Sequence, residues 1–189
     1  MAKHDGARVG GRSIADPTSL DFESFARFAE ARVQELAPEI DLEAMAFVLT
    51  LHRAAGTVVY DIESTVHRPA GWSWAGFRLL FVLWLAGPLE AKHAARLSGL
   101  SRQSTSVLAN TLERDGLLAR SPQPHDGRLV SYGLTEAGLE AISSTYEEHN
   151  RREQLWASVL EPEELAAVTR ALGKILAAAP GLDVRRHHD

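Results

Sequence analysis

The sequence predicts a mainly α-helical protein that contains a single β-hairpin. Apolar residues repeat at helical spacing over long stretches on both sides of the middle of the chain. Two short strand-like segments, 117–120 and 129–134, flank a loop rich in Pro and Gly, as in a hairpin. With 189 residues, of which 45% are hydrophobic, the chain is long enough for one compact core with an appended element.

The composition excludes several classes of site. The chain has no cysteine, which excludes disulfides, iron–sulfur clusters, thiolate zinc sites and a cysteine nucleophile. The longest apolar run, Phe77–Ala86, is too short to cross a bilayer, and the first residues contain no apolar stretch typical of a secretory signal. We therefore expect a soluble, cytoplasmic protein that makes no contact with a membrane.

Two helices are predicted near the N-terminus, after a polar, Gly-rich stretch over residues 1–17 that is expected to be a flexible leader. Apolar residues at helical spacing predict a first helix that closes at Pro38; they are Phe22, Phe25, Phe28, Val33 and Leu36. Residues 41–67 predict a long helix that is apolar on more than one face. Such a helix is either the central core helix or one that joins a dimer interface to another domain.

The middle of the chain predicts three further helices before the hairpin. Residues 74–85 are densely apolar and end at Gly87-Pro88, as expected for a buried helix. Residues 90–98 and 101–115 form two shorter helices, separated by a turn at Gly99.

Two long helices end the predicted fold. Thr135 can cap the first of them, whose apolar positions follow an imperfect heptad from 139 to 160. Pro162 suits the first position of the second helix. One face of that helix carries Leu165, Val168, Leu172 and Ile175. These apolar faces pack either within one chain or against a second copy.

The order helix, tight turn, helix, hairpin and helix over residues 90–138 is that of a winged helix-turn-helix, with three helices and a β-hairpin wing. A helix fits the major groove of B-DNA, and residues near its N-terminus reach the base edges. The expected DNA contacts are Gln103, Ser104 and Thr105 at base edges, Arg102 at bases or phosphate, and Ser101, Ser106 and Arg120 at backbone phosphates. The alternative is that these hydroxyls only cap a solvated helix.

The charge distribution agrees with a DNA reader on an acidic body. Residues 90–128 carry six basic and four acidic residues, a net charge of +2, whereas the rest of the chain carries −7. A basic segment of this kind favours contact with a polyanion, although a window of +2 also arises by chance.

Three motifs around the hairpin resemble the MarR family of winged-helix transcriptional regulators. They are Leu112-Glu113-Arg114-Asp115-Gly116-Leu117-Leu118 before it, Asp126-Gly127-Arg128 at its tip and Leu134-Thr135-Glu136-Ala137-Gly138 after it. Asp126 can brace the guanidinium of Arg128 bidentately, so that Arg128 is held for entry into the minor groove. The alternative is a surface ion pair that closes the turn.

The resemblance covers roughly residues 40–180. It implies a homodimer whose terminal helices intertwine and place two recognition helices in successive major grooves of a palindromic operator in double-stranded DNA. It also implies the following divisions: a flexible leader over 1–17, N-terminal helices of a dimerisation domain over 18–71, a winged helix-turn-helix DNA-binding domain over 72–134, C-terminal dimerisation helices over 135–180 and a loose tail over 181–189.

Members of the family often bind small aromatic or phenolic ligands between the dimerisation helices and the reader domain. The aromatic segment 72–84 lies near this place, so we expect a repressor that a small aromatic or anionic effector releases from DNA. The candidate ligand contacts are His52, Trp72, Trp74, Arg78 and His93. The alternative is that the aromatic side chains are core residues, which we favour for Phe77, Phe81 and Trp84.

The extra N-terminal helix and the run 38–45 resemble the PecS-like, urate-responsive branch of the family. That branch is expected to carry a Trp on its first helix and an acid on the helix that here contains Phe77-Arg78-Leu79-Leu80. In this chain no Trp precedes Trp72, and Arg78 is basic. Urate is therefore not the expected ligand.

An enzyme is not expected. The sequence contains no G-x-S-x-G, H-E-x-x-H or P-loop motif, and no two histidines stand four residues apart, so we predict no catalytic residue, cofactor or metal site. A winged helix used as a protein-docking module without DNA binding is the alternative function. A steep loss of binding with salt would distinguish a DNA reader from such a module.

Overall fold

The computed structural model describes residues 21–122 and 130–182, which contain seven α-helices and three short strands. In chain order the elements are α1 (Phe22–Leu36), α2 (Leu42–Ile62), a π-helical turn (Glu63–His67), α3 (Trp74–Ala86), β1 (Leu89–Glu90), α4 (Ala91–Ser98), α5 (Arg102–Arg114), β2 (Leu118–Pro122), β3 (Val130–Leu134), α6 (Glu136–Ala157), α7 (Pro162–Ala178) and a 3₁₀ turn (Ala179–Leu182). This order confirms the predicted, mainly α fold with its hairpin. The chain divides into two units, Met1–Thr57 and Val58–Asp189. The predicted leader lies outside the described residues, as does residue 183 onward of the predicted tail.

In the first unit, α1 begins with a side-chain cap. The Asp21 carboxylate accepts a hydrogen bond from the backbone N–H of Ser24 at 2.8 Å, and this bond holds the pKa of Asp21 below its ordinary value. The helix ends at Leu36, just before Pro38, as that proline predicts. Asp41 caps the start of α2 in the same way, through the N–H of Ala44 at 2.9 Å.

The stretch Leu42–His67, formed by α2 and the π-helical turn, is long enough and apolar enough to cross a membrane by length and composition alone. The search for an uninterrupted apolar run pointed to Phe77–Ala86 and did not single out this stretch. Core helices of soluble proteins meet the same criterion of length and composition. Phe47 and Val48 are 51% and 59% exposed. Within one chain this helix is therefore not the central core helix, and its exposed apolar faces favour the alternative of a helix that joins an interface.

The core of the second unit is built around α3, as predicted for a buried helix. Leu79 and Leu80 are fully buried. Residues from the surrounding helices and the sheet pack against them; they include Ala94, Ala109, Leu112, Leu118 and Ile142. The helix begins at Ser73, whose hydroxyl accepts from the N–H of Gly76, and ends at Gly87, whose φ of 73° favours glycine. α4, α5 and the sheet therefore share one hydrophobic core with α3.

The wing contains one strand more than the sequence predicts. β2 and β3 form the expected antiparallel hairpin, with Leu118 opposite Leu134 and Pro122 opposite Val130. β1 adds to the other edge of β3 through Leu89, which lies opposite Tyr132, so the strand order is β1-β3-β2. A two-residue strand shows no alternation of polar and apolar side chains that sequence reasoning could detect.

The start of α6 is hydrogen-bonded to the residues that follow α5. Thr135 caps α6 by accepting from the N–H of Gly138 at 3.0 Å, and its hydroxyl donates to the carbonyl oxygen of Gly116 at 2.7 Å. The Thr135 N–H donates to the carbonyl oxygen of Leu117 at 3.1 Å. A Cβ on Gly138 would lie 2.0 Å from that same oxygen. The predicted cap is confirmed, and the Thr and Gly of the motif after the hairpin both serve this close approach.

Side chains of α6 form hydrogen bonds to the end of α2, whereas no described side chain of α7 is buried. The Asp61 carboxylate accepts from the Arg152 guanidinium, at 2.6 Å for each bond, and from the Trp156 indole at 2.7 Å. These bonds tie the end of α2 to α6. By contrast, α7 begins at Pro162 with a capping box, as predicted for its first position, and none of its described side chains is buried.

Candidate nucleic-acid interface

The first turn of α5 projects from a tightly packed helix pair. α4 ends at Gly99, whose φ of 67° allows the left-handed turn that reverses the chain toward α5. Ala94 of α4 and Ala109 of α5 are both fully buried. Ser101 caps α5: its hydroxyl accepts from the N–H of Ser104 at 3.0 Å and donates to the Ser104 hydroxyl at 2.8 Å. The N-terminus of α5 is thus fixed in position.

Four of the residues predicted to touch DNA lie on the accessible side of this turn. Arg102, Gln103, Ser104 and Ser106 are all exposed. Ser101 is half-buried and its hydroxyl is already engaged as the cap. An arginine, an amide and two hydroxyls are therefore presented at a helix N-terminus, where the aligned backbone N–H groups also favour an anion.

Thr105 does not belong to this surface, so its predicted contact with base edges is wrong. The side chain is 1% exposed, and its Oγ1 donates to the carbonyl oxygen of Ser101 at 2.9 Å. It shares the buried stripe of α5 with Ala109 and Leu112, at helical spacing. Val107, an apolar residue on the same helix, is 59% exposed. In this run of hydroxyl-bearing residues, the sequence does not show which side chains of the helix face the core.

A groove of about 430 Å³ lies beside the first turn of α5. It is lined by Glu90, Ala91, Lys92, Arg102, Ser106, Val130 and Tyr132. The Lys92 ammonium lies 2.7 Å from Oε2 of Glu90, and this hydrogen bond is the main cause that lowers the pKa of the Glu90 carboxyl. The sequence places Lys92 in the basic segment but does not single it out, because only the fold brings it to the same groove as Arg102.

Arg120 lies at the base of the wing, where other side chains surround its guanidinium. The guanidinium donates to Oδ1 of Asn110 and lies 3.3 Å from Oε2 of Glu113, both on α5. It also lies 5.4 Å from the ring centre of Tyr132. This placement favours a brace between the wing and α5 over the predicted contact with phosphate.

The predicted wing-tip contacts, Asp126 and Arg128, lie outside the described residues. The described parts of β2 and β3 run up to Pro122 and from Val130. The minor-groove role of Arg128 stays a prediction.

The five candidate ligand residues occupy different environments. Trp72 is a core side chain at 8% exposure, which disfavours its predicted contact with a ligand. Trp74 is half-buried and stacks on His67, with ring centres 5.3 Å apart. His52 and His93 are exposed, the former in the first unit. Burial lowers the pKa of Arg78, and within the described chain its Nε has no hydrogen-bond partner.

Comparison with known proteins identifies the family. The sequence profile of the MarR family matches residues 73–129, which run from α3 to the wing. An uncharacterized HTH-type transcriptional regulator of Bacillus subtilis, YwaE, is 31% identical over 136 residues, which cover 72% of this chain and 80% of that protein. The chain belongs to the MarR family. Its relatives are transcriptional regulators, as the motifs around the hairpin predicted.

Solved structures of MarR-type regulators share the fold. The transcriptional regulator PA4135 is 25% identical, with a TM-score of 0.62 over 69% of this chain and 95% of that one. The organohalide-sensing regulator RdhR-CbdbA1625, solved with bound 2,4-dichlorophenol, is 18% identical, with a TM-score of 0.68 over 80% of this chain and 89% of that one. These likenesses confirm the winged helix-turn-helix fold. The PecS-like branch stays a prediction.

Proposed function

We propose that this MarR-family chain is a homodimeric repressor that binds a palindromic DNA operator and leaves it when a small aromatic or anionic ligand binds. The observation that carries the proposal is the exposed first turn of α5. There Arg102, Gln103 and Ser104 project from a fixed helix N-terminus, beside the groove that also holds Lys92.

The chemistry of this turn suits the major groove. A guanidinium can bond two acceptors of guanine, and a carboxamide can bond the donor and acceptor of adenine. We therefore assign base reading to Gln103 and Ser104, and base or phosphate contact to Arg102. The Ser106 hydroxyl and the Lys92 ammonium, which both line the groove, suit phosphate.

The first experiment selects binding sites for the full chain from a pool of random duplex DNA and then titrates the selected duplex and a scrambled one at two salt concentrations. The proposal expects a two-fold symmetric selected sequence and an affinity that falls steeply with salt, by a slope of about 0.9 per phosphate contact. If no duplex binds even at low salt, the DNA-binding function is wrong and the docking module takes its place.

Substitutions then assign the contacts. Gln103→Ala should cost about 1–3 kcal/mol on the selected duplex and leave the scrambled duplex unaffected. Arg102→Ala should reduce the salt slope by about one if it contacts phosphate, and weaken the selected duplex alone if it contacts a base. Arg114→Ala is the matched control, since Arg114 is exposed on the same helix about 18 Å away. An equal effect of Arg102→Ala and Arg114→Ala would refute the assigned orientation of α5.

The homodimer is supported by the apolar face of α7. Leu165, Val168, Leu172 and Ile175 lie on one face of this helix and are each 37–45% exposed in the single chain. A second copy that covers this face would remove it from water. Leu172→Glu should therefore produce monomers in sedimentation analysis and abolish binding to the symmetric duplex. Lys174→Glu, on the opposite side of α7, should do neither.

The effector class is supported by aromatic side chains between α3 and α6. Phe81 and Trp84 of α3 contact Tyr146 of α6, with ring centres 5.3 and 5.2 Å apart. RdhR-CbdbA1625, which shares the fold, was solved with 2,4-dichlorophenol. We propose that a phenolic ligand binds beside Trp74, near Arg78. Adding 2,4-dichlorophenol should quench tryptophan fluorescence and release the DNA, and Trp74→Leu should abolish both effects. Release of DNA that survives Trp74→Leu would place the ligand elsewhere.

A further inference from the structure

Two buried histidines meet where the π-helical turn packs against α3 and α6. His67 is 0% exposed and His149 is 4% exposed, and Nε2 of His67 lies 2.9 Å from Nδ1 of His149. Nε2 of His149 in turn lies 2.9 Å from Oε1 of Glu153, whose side chain is 44% exposed. These three side chains form a hydrogen-bonded chain, the His67–His149–Glu153 chain, that leads from the surface into the core.

The bonding partners determine which nitrogens carry hydrogen when both rings are neutral. The Glu153 carboxylate accepts, so Nε2 of His149 carries a hydrogen and donates it. Nδ1 of His149 is then an acceptor, and Nε2 of His67 donates to it. This leaves Nδ1 of His67 as a buried acceptor, which has no hydrogen-bond partner among the described residues.

Proton uptake conflicts with this arrangement. If His149 gains a proton on Nδ1, His67 must move its own hydrogen from Nε2 to Nδ1, where no described acceptor meets it. If both rings are charged, two N–H donors face each other across 2.9 Å. A buried donor without an acceptor and a buried pair of like charges both destabilise the folded state.

The surroundings of His67 also oppose a charge. The rings of Phe77 and Trp74 on α3 stack on it, with centres 4.1 and 5.3 Å away. Burial, with a smaller contribution from neighbouring His149, lowers the pKa of His67 to about 4. The unfolded chain has no such environment, so it binds this proton near the ordinary value of 6.5.

The other charged groups on the packed elements do not remove the conflict between protonation of the pair and its hydrogen bonds. Glu153 is the acid in contact with the pair, and the Asp61–Arg152 and Glu63–Arg68 pairs on neighbouring turns are each neutralised by their own partner. Arg78, the one charged residue of α3, has its guanidinium within 3.3 Å of the position that a Gly99 Cβ would occupy. Glu147, Glu148 and Arg151 of α6 are exposed.

We propose that the His67–His149–Glu153 chain is an acid-sensitive latch. It holds the turn after α2 against α3 and α6 while His67 is neutral, and it opens when His67 takes up a proton. His67 lies on the π-helical turn, and turns of this type within helices are frequent at functional sites. The latch does not depend on DNA binding, because all of its partners lie in the second unit of one chain.

The experiment is urea unfolding of the full chain from pH 7.5 to 4.5, at one protein concentration, for the wild type, His67→Phe and the control His52→Gln. The folded state binds the His67 proton less than the unfolded state does, so its stabilising effect is complete above about pH 6.5 and is lost as the pH falls toward about 4. Between these values the unfolding constant of the wild type should rise about tenfold more per pH unit than that of His67→Phe. His52→Gln should follow the wild type.

Equal pH slopes for the wild type and His67→Phe would overturn the latch. If His67→Phe does not fold, ring nitrogen shifts of the wild type decide the question instead. A His67 ring that stays neutral down to about pH 5, and whose protonation coincides with a change in the Trp74 ring signals, supports the latch. A His67 ring that titrates near 6.5 without any change at Trp74 refutes it.

Discussion

Replacing Gly138 by alanine is the sharpest test of how the wing is attached. The added Cβ would lie 2.0 Å from the carbonyl oxygen of Leu117 and 2.9 Å from its carbonyl carbon. Ordinary contact begins near 3.4 Å, so the α6 backbone and Leu117 must separate by about 1.4 Å. That movement breaks the bond from the Thr135 N–H to the same oxygen and disturbs the Thr135 cap.

The magnitude follows from these contacts. Overpacking costs about 1–3 kcal/mol, and the lost bond and weakened cap cost about 1 kcal/mol each. Alanine in place of a helical glycine returns about 1 kcal/mol, so Gly138→Ala should destabilise the fold by roughly 2–4 kcal/mol. Gly173→Ala is the control, since no atom lies within 4 Å of its added Cβ, and it should stabilise the chain by about 0.5–1 kcal/mol.

Urea unfolding followed by circular dichroism measures both variants under the same conditions. The reasoning is refuted if Gly138→Ala lies within about 0.5 kcal/mol of the wild type while Gly173→Ala is stabilised as expected. In that case the start of α6 would have room to move, and the tight junction with Leu117 would not be needed to hold the wing.

Three further predictions address single contacts. Asp61→Asn should lower the melting temperature at pH 7, and its difference from the wild type should shrink as the pH falls below about 4. The reason is that the Arg152 bonds lower the pKa of Asp61 from 3.8, and their stabilisation is lost once the carboxylate takes a proton. A difference in melting temperature that is constant with pH would contradict this. Arg120→Ala should destabilise the chain by about 1 kcal/mol and increase amide exchange in β2 before any loss is seen in α3, and unchanged exchange in β2 would remove its role as a brace. Thr105→Val should leave the preference for the selected over the scrambled duplex unchanged and cost about 1 kcal/mol of stability, and a change of sequence preference would restore the base-reading role that its burial denies.

The parts of the fold that follow from local sequence rules were predictable. Pro38 and Gly87 mark where helices end, and Thr135 and Pro162 mark where they begin. Each of these residues acts through its own backbone geometry or its own side chain within four positions. The sequence alone is enough to recognise such signals.

The features that depend on distant residues were not predictable in the same way. β1 exists because Leu89 meets Tyr132, and the pairing of His67 with His149 joins residues 82 positions apart. The phase of α5 was misjudged at Thr105, since a threonine suits either a buried stripe with a backbone bond or an exposed DNA contact. Only the packing of α5 against α3 and α4 separates these two possibilities.

Of the three motifs that carry the family resemblance, the one after the hairpin supports the fold. In the described part of that motif, Thr135 and Gly138 bind and approach the backbone at Gly116 and Leu117. The exposed residues of the first turn of α5, Arg102 to Ser104, lie outside the motif and have no part in the α6 junction. Substitutions there should change the operator while the fold is kept, whereas substitutions at Gly138 should affect every operator alike. The junction with Leu117 therefore carries part of the family resemblance, whereas we expect the first turn of α5 to determine which operator is bound.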